Sequence, residues 1–265
     1  MTTEALVSVI IPTFRRPRRL QEALASVGNQ SYSQIEVIVI NNGGADMRET
    51  IQPFQNTFSR APELLQLEQA CTIGAARNIG IRAAGGDFIA FLDDDDCYRP
   101  NHIARLAAAL QNDSSAALAY DEALIGIEKI ATERDARGVV EATCRLGLPY
   151  DYERFRRDDY IVTSTILCRK SACIAAGYFD EDLLFCEDWD FLLKMRNIGK
   201  ILFVPGEIGV DYSMRLAAQD NSGSVFDSNR RAALDLLAER HHLPPLAPKT
   251  FLDVAHDLGC LIEFI

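Results

Sequence analysis

Apolar residues along the first half of the chain fall into two repeating patterns, short continuous runs and helix-like stripes. Residues 7–11 and 88–92 are almost continuous apolar runs, as expected for strands that are covered on both faces. Between them, residues 20–27 repeat apolar side chains at i, i+3, i+4 and i+7, which predicts a helix with one buried face. Strands that alternate with helices predict an α/β fold with a mostly parallel, Rossmann-like sheet and helices on both faces.

The same patterns predict the elements after the first helix. The sequence Asn41-Asn42-Gly43-Gly44 is a turn signal that ends the second strand. Residues 120–165 are less regular and predict strands and loops. The predicted elements are strands 35–40 and 64–67, a helix capped by Thr72 that runs to about residue 84, and helices 100–110, 169–176 and 187–198.

The pattern changes near residue 224 to helices that prolines interrupt. In the last of these helices, an apolar stripe extends over residues 251–262. We expect this C-terminal helical extension, residues 223–265, to pack on the rest of the chain. A homo-oligomer contact through the C-terminal helices and docking to a membrane-bound enzyme are the alternatives.

Unusual polar residues lie where predicted strands end. Residues 12–16 follow the first strand, Asn41 and Asn42 the second, and a run of four aspartates, 93–96, follows the strand at 88–92. Ligands of parallel, helix-covered sheets bind beyond the carboxyl ends of the strands. The sequence therefore predicts one binding site at this edge of the sheet.

The aspartate run predicts a cation site. Neighbouring carboxylates raise one another's pKa, and a bound cation relieves this repulsion. Hard oxygen ligands select Mg²⁺ or Mn²⁺, and phosphate oxygens commonly complete the shell. In an extended segment, Asp93 and Asp95 point to the same side. The alternative is a solvated acidic turn without a ligand.

Charge and cysteine content narrow the class of protein. The 265 residues carry 27 Lys and Arg against 38 Asp and Glu, a net charge of −11, which argues against nucleic acid as a partner. Seven cysteines without a CxxC pair, and no apparent secretory leader, predict reduced thiols in the cytoplasm. Peripheral placement at the inner face of a membrane is compatible with this expectation.

Four segments resemble the family 2 glycosyltransferases, which have the GT-A fold. They are residues 7–16, residues 74–80, residues 86–96, and a downstream signature formed by 177–181 with 186–189; the resemblance covers roughly residues 5 to 205. It implies inverting transfer of a sugar from a nucleotide diphosphate donor, with UDP favoured, to a hydroxyl of a glycan, lipid-linked or small-molecule acceptor. It also implies a GT-A domain over 1–222, with a nucleotide-binding half at about 1–115 and an acceptor-facing half at 116–222.

The resemblance assigns roles to individual residues. Asp95 is the expected ligand of Mn²⁺ or Mg²⁺, and Asp188 is the expected catalytic base, with Glu187 and Asp190 as nearby alternatives. Asp188 lies in the first turn of a predicted helix, where the helix dipole favours its ionised form. The residues expected to contact the nucleotide sugar are Pro12, Phe14, Arg16, Asn42, Arg77, Asp93 and Asp94.

Two departures from the family pattern bear on these roles. Asn42 stands where relatives usually have Asp, and an amide both accepts and donates hydrogen bonds, so thymine and guanine stay open beside uracil. Many relatives place a metal-binding His after the last strands, but residues 211–215 contain none. Water, phosphate or an acid such as Asp220 is expected to complete the shell. The four histidines are expected to be ordinary core or surface residues.

Two other functions fit parts of the pattern. A nucleotidyltransferase would carry a glycine- and basic-rich loop after the first strand, whereas residues 12–17 contain two arginines and no glycine. A non-catalytic relative that binds a nucleotide sugar or a partner is favoured by Asn42 and the missing His. The presence of both Asp95 and Asp188 favours the enzyme.

Overall fold

The computed structural model describes residues 4–129, 135–215 and 228–265. Its strands are β1 (Val7–Thr13), β2 (Ile35–Asn41), β3 (Glu63–Gln66), β4 (Phe88–Phe91), β5 (Cys97–Tyr98), β6 (Ala116–Lys129), β7 (Val139–Leu146), β8 (Ile166–Arg169), β9 (Lys200–Arg215) and β10 (Ile262–Phe264). Its α-helices are α1 (Pro17–Gly28), α2 (Arg48–Ile51), α3 (Ile73–Ala83), α4 (His102–Asn112), α5 (Tyr152–Phe155), α6 (Lys170–Ala175), α7 (Glu187–Met195), α8 (Ser228–Arg240) and α9 (Phe251–Asp257).

The predicted alternation of strands and helices is confirmed in the first half of the chain. The strands run in the order β3-β2-β1-β4, and all three neighbouring pairs are parallel. Every residue of β1 and β2 is buried, because helices cover both faces of the sheet. Thr72 caps α3 as predicted, since its hydroxyl accepts a hydrogen bond from the Ala75 N–H.

Two apolar clusters, one on each face, hold the helices against the sheet. Val9 and Ile11 pack with α1 and α4 on one face, while Ile10 packs with α3 and α7 on the other. Helix α3 approaches β1 so closely that a Cβ on Gly80 would stand 2.4 Å from Ile10 Cγ2. This contact requires glycine, because a side chain at position 80 would keep α3 from packing so closely on β1.

The second half of the sheet is mainly antiparallel. β8 joins β4 and β6 in antiparallel register, β7 pairs antiparallel with β6, and β9 lies parallel to β6. Residues 120–165, which lacked a clear pattern in the sequence, thus contain most of β6 and all of β7. Strand β6 is hard to predict because it buries three carboxylates, each of which has a cationic partner. The pairs are Asp121 with His102 and Arg105, Glu122 with Arg145, and Glu128 with Arg19.

Two predicted helices are shorter in the structure. Helix α7 ends at Met195, and Ile198, expected on its buried face, is 42% exposed in the turn that follows. The predicted helix over 251–262 ends at Asp257, because Gly259 takes a left-handed φ of 71°. Ile262 instead begins β10, which pairs antiparallel with β7 at the edge of the sheet.

The C-terminal extension shares the core of the sheet. Leu234 and Leu237 of α8, Leu246 before α9, and Ala255 of α9 belong to the same buried cluster as α7, as expected for packing on the rest of the chain. The predicted boundary between residues 222 and 223 lies outside the described residues. Within the described part, no helix has the length and apolar content needed to cross a membrane.

Candidate active site

The ends of β1 and β4 meet at the aspartate run. Thr13, the last residue of β1, donates its hydroxyl to Asp94 Oδ2 over 2.7 Å. Arg16 follows β1, and its Nη1 lies 3.0 Å from Asp94 Oδ1 and 2.7 Å from Asp95 Oδ2. The parallel pairing of β1 with β4 brings together residues that are 78 to 81 positions apart in the chain.

The four aspartates form a turn, and the prediction of an extended segment is therefore wrong. The N–H of Asp96 donates to the carbonyl oxygen of Asp93 over 3.0 Å, and the carboxylates diverge to different partners. Asp96 accepts from the Ser164 hydroxyl and from the Ser213 N–H, which ties β9 to the turn. Asp93 and Asp95 keep 29% and 19% of their side chains exposed, against 7% for Asp94. Asp93 and Asp95 are therefore better placed than Asp94 to meet a ligand from solvent.

Burial and mutual repulsion change the protonation of this turn. Burial, and then the charge of Asp95, raise the pKa of Asp94 to about 6, while Arg16 and the Thr13 hydroxyl oppose the shift. Burial, followed by Asp95 and Asp93, also raises the pKa of Asp96 well above its ordinary value. The sequence-based expectation of strained carboxylates is met at these two residues. A cation at the turn would favour their ionised forms.

Arg77 connects the aspartate turn to α7. Its side chain is 3% exposed, with Nη2 at 2.9 and 3.2 Å from the two Asp93 oxygens and Nη1 at 2.8 Å from Glu187 Oε1. Burial disfavours the charge of Arg77, but the carboxylates of Asp93 and Glu187 outweigh this cost and raise its pKa. The guanidinium therefore stays charged and links the two segments.

The first turn of α7 carries three acids in different environments. Glu187 is buried against Arg77, and Asp190 is fully buried against Lys194, Arg240 at the end of α8, and His241. Asp188 is half-buried and accepts from the Thr163 hydroxyl over 3.3 Å, and no cation of the described residues forms an ion pair with it. Burial, and then the Asp188 charge, raise the pKa of Glu187 to about 7.

Asn42 is held by the backbone of a single residue. Its Nδ2 donates to the Cys71 carbonyl oxygen over 2.8 Å, and its Oδ1 accepts from the Cys71 N–H over 2.8 Å. These two bonds fix which end of the amide is oxygen, since the backbone offers one donor and one acceptor. Half-buried Phe14 lies nearby against Gly43, under the Arg15 guanidinium, while Pro12 is buried within β1.

Comparison with known proteins identifies the family. The sequence model of Glycosyl transferase family 2 matches residues 8–166. The chain belongs to this family. The chain is also 30% identical to the uncharacterized glycosyltransferase YwdF of Bacillus subtilis (strain 168) over 248 residues, which are 92% of this chain and 87% of YwdF.

Solved structures confirm the GT-A type fold. The chain resembles S. aureus TarS 1–349 in complex with UDP-GlcNAc, with a TM-score of 0.64 and 21% identity over 88% of this chain and 66% of that one. It also resembles mannosyltransferase PcManGT from Pyrobaculum calidifontis in complex with GDP-Man and Mn²⁺, with a TM-score of 0.60 and 16% identity over 92% and 67% of the two chains. The chain spans 39% of the longer TarS structure.

The aspartate turn of this glycosyltransferase has the chemistry of a divalent cation site. Its carboxylate oxygens are the hard ligands that Mn²⁺ and Mg²⁺ prefer, and Asp93 and Asp95 are open to solvent on one side. Arg16 and Arg77 now contact these carboxylates and would share them with a cation. Among the described residues no three His, Cys, Asp or Glu side chains converge on one point, so a cation at this turn would need phosphate or water to complete its shell.

Three of the four histidines of the glycosyltransferase have partners other than the aspartates of this turn. His102 contacts buried Asp121, His241 contacts Asp190, and His256 is 89% exposed. Asp220, the acid considered as an additional ligand, lies outside the described residues.

The sequence analysis missed several residues of the site. Thr13, Ser164 and Ser213 bind the aspartates, and Tyr212 lies in β9 beside Ser213. Burial raises the pKa of the Tyr212 phenol, and the charges of four aspartates, 93, 95, 96 and 188, add to the shift. Tyr212 therefore lies within the electrostatic reach of the turn and of Asp188, a position that no local sequence signal indicates.

Proposed function

We propose that this chain is an inverting, metal-assisted glycosyltransferase that moves a sugar from a UDP-sugar to an acceptor hydroxyl, with Asp188 as the base. The observation that carries the proposal is that the three acids of α7 differ in burial and in ion pairing. Cations hold Glu187 and Asp190 in the interior, whereas Asp188 is half-exposed beside the aspartate turn.

The first step of the proposed chemistry is proton removal from the acceptor. The acceptor oxygen attacks the anomeric carbon while its proton passes to the Asp188 carboxylate. The bond between that carbon and the diphosphate oxygen breaks, and the diphosphate leaves with the electron pair from the opposite face. Asp188 lies in the first turn of α7, at the positive end of the helix dipole.

The donor would occupy the strand ends next to the turn. Asp93 and Asp94 would contact the sugar or ribose, Arg16 and Arg77 would face the phosphates, and Phe14 with Pro12 and Asn42 would line the base. Asp95 would hold Mn²⁺ or Mg²⁺, whose charge offsets that of the leaving diphosphate. UDP is favoured because UDP-GlcNAc is bound in TarS, and a metal because Mn²⁺ accompanies GDP-Man in PcManGT.

The acceptor and the cellular setting complete the proposal. An acceptor hydroxyl on a glycan, a lipid-linked sugar or a small molecule fits this chemistry equally well. We place the reaction in the cytoplasm, with peripheral contact at the inner face of a membrane as an extension. A net charge of −11 argues against nucleic acid as the acceptor.

A second candidate is a domain that binds a nucleotide sugar without turnover. It is favoured by the arginines that already neutralise Asp93 and Asp95, and by the Asn42 amide that is engaged with Cys71. Both candidates require donor binding, so turnover separates them.

The test is calorimetry of UDP, dTDP and GDP binding, each with and without Mn²⁺. We expect Mn²⁺-dependent binding of UDP that Asp95→Ala abolishes and that Asp235→Ala, on the exposed side of α8, leaves unchanged. Release of UDP from a UDP-sugar that stops in Asp188→Asn, with UDP binding retained, supports the enzyme. Binding without release under any donor supports the second candidate, and no binding of the three diphosphates contradicts both.

A further inference from the structure

Helix α8 holds the helix that carries Asp188. Arg240, the last residue of α8, places Nη1 2.8 Å from Asp190 Oδ1, and His241 Nε2 lies 2.8 Å from the same oxygen. Lys194 approaches the other carboxylate oxygen of Asp190 at 2.9 Å. Asp190 is fully buried, so its charge is compensated by these partners and not by water.

The same guanidinium also holds the segment before α7. Arg240 Nη1 lies 2.8 Å from Asp180 Oδ2 as well as 2.8 Å from Asp190 Oδ1. Asp180 and Asp190 flank the stretch that enters α7 through Cys186, a residue with a left-handed φ of 60°. One side chain of α8 therefore ties together both sides of the segment that carries Asp188.

A second ion pair anchors the same turn of α7. Glu187 is bound by Arg77, as described above, at 2.8 Å. Asp188 therefore stands between two anchored neighbours, and its backbone has little room to move. Because Leu234 and Leu237 are buried in the core with α7, helix α8 is itself firmly placed.

We propose that α8 is a positioning element of the active site. Arg240 and His241 hold Asp180 and Asp190, and so keep the Asp188 carboxylate beside the aspartate turn. They act through α7 and are positioning residues. The inference rests on the proposed function, because it takes Asp188 as the base, and it assigns a role to a helix that lies beyond the family match at residues 8–166.

The expected effect follows from geometry. Without Arg240, the buried Asp190 carboxylate keeps only Lys194 and His241 as partners, and Asp180 loses its link to Asp190. We expect the first turn of α7 to shift as water or these two side chains take up the uncompensated charge. A displacement of about 1 Å at a catalytic group costs on the order of 100-fold in rate. Donor binding depends on the strand ends of β1, β2 and β4, which Arg240 does not contact within the described residues, and is expected to persist.

The experiment compares Arg240→Ala and Arg240→Lys with the control Arg231→Ala in the full chain. Arg231 lies on the same helix and pairs with exposed Asp235. Turnover is measured as UDP release with acceptor, donor binding by calorimetry, and the mobility of residues 186–192 by hydrogen exchange. We expect Arg240→Ala to lower kcat about 10- to 100-fold, with a donor KM unchanged within about twofold and faster exchange in α7. Arg240→Lys should recover part of both losses, and Arg231→Ala should match the wild type.

Two results overturn the proposal. One is wild-type kcat together with wild-type exchange of α7 in Arg240→Ala. The other is a loss of donor binding and turnover in proportion, which indicates general loss of structure. Should Arg240→Ala fail to fold, the same comparison is made with Arg240→Lys and His241→Gln.

Asp188→Asn, measured in parallel, separates this inference from the proposed function. If Asp188→Asn keeps its turnover, the assigned base is wrong and so is the positioning role. If it loses turnover while Arg240→Ala keeps full turnover, the base stands and the positioning role is refuted.

Discussion

The two polar ends of the Asn42 side chain are both bound to Cys71, and this decides what a substitution there can do. The family pattern usually has Asp at this position, so Asn42→Asp restores a common residue. In this structure, however, a carboxylate would face the Cys71 carbonyl oxygen that now accepts from Nδ2.

We expect Asn42→Asp to lower the free energy of unfolding by about 1–3 kcal/mol, the cost of an unpaired, partly buried acceptor. Denaturant unfolding measures the change, with Asn56→Asp at an exposed position as the control. A variant as stable as the wild type would show that the loop at Cys71 adapts to a carboxylate.

The proposed role of Asp188 as the base can be tested with a single substitution. Asp188→Asn keeps the size of the side chain and removes its ability to accept a proton. We expect kcat to fall about 10²- to 10⁴-fold while UDP affinity stays constant, as measured by initial rates of UDP release and by calorimetry. Asp182→Asn, an exposed acid before α7, serves as the control and should keep wild-type rates. A fall of less than tenfold in Asp188→Asn would move the role of base to another acid.

At the scale of the element, the first turn of α7 should make stability depend on pH. Burial and the Asp188 charge raise the pKa of Glu187 to about 7, against about 4.3 in an unfolded chain. Between these values the folded state retains a proton that the unfolded state releases. This contribution to stability is therefore complete below about pH 4 and is lost as the pH rises through about 7.

Glu187→Gln should flatten this dependence. We expect the difference in the free energy of unfolding between pH 5 and pH 8 to shrink by about 1–3 kcal/mol relative to the wild type. Urea unfolding at the two pH values measures it, and exposed Glu49→Gln serves as the control. If the free energy of unfolding depended on pH in the same way in Glu187→Gln and the wild type, the pH dependence would not come from Glu187.

At the scale of the whole molecule, the C-terminal extension and the sheet should unfold together. Leu237 of α8 is fully buried in the cluster that contains α7, whereas its neighbour Leu236 is 40% exposed. We expect Leu237→Ala to cost about 2–5 kcal/mol and Leu236→Ala to cost less than about 1 kcal/mol. Fluorescence and circular dichroism during urea unfolding measure both. Two separate transitions, with only one shifted by Leu237→Ala, would show that the extension folds on its own.

The candidate site was only partly accessible from the sequence. The position of the aspartate run after a buried strand located the site, because strand ends and turn residues are local signals. The conformation of the run was mispredicted, since alternation along an extended strand does not apply to a turn closed by Asp96 and Asp93. Strands were expected within residues 120–165, but β6 was not delimited, because its buried acids read as surface residues until their cationic partners are known.

The sequence by itself determined the α/β class, the order of strands and helices in the first half, the family and the edge of the sheet that holds the candidate site. These features depend on periodicity and short motifs, which a linear chain displays directly. Only the tertiary structure decided which cation meets which carboxylate. Arg77 and Glu187 are 110 positions apart, and Arg240 and Asp190 are 50 apart, so many pairings are possible in sequence. Packing of α3, α7 and α8 against one sheet selects among them, and it leaves Asp188 half-exposed between two neutralised acids.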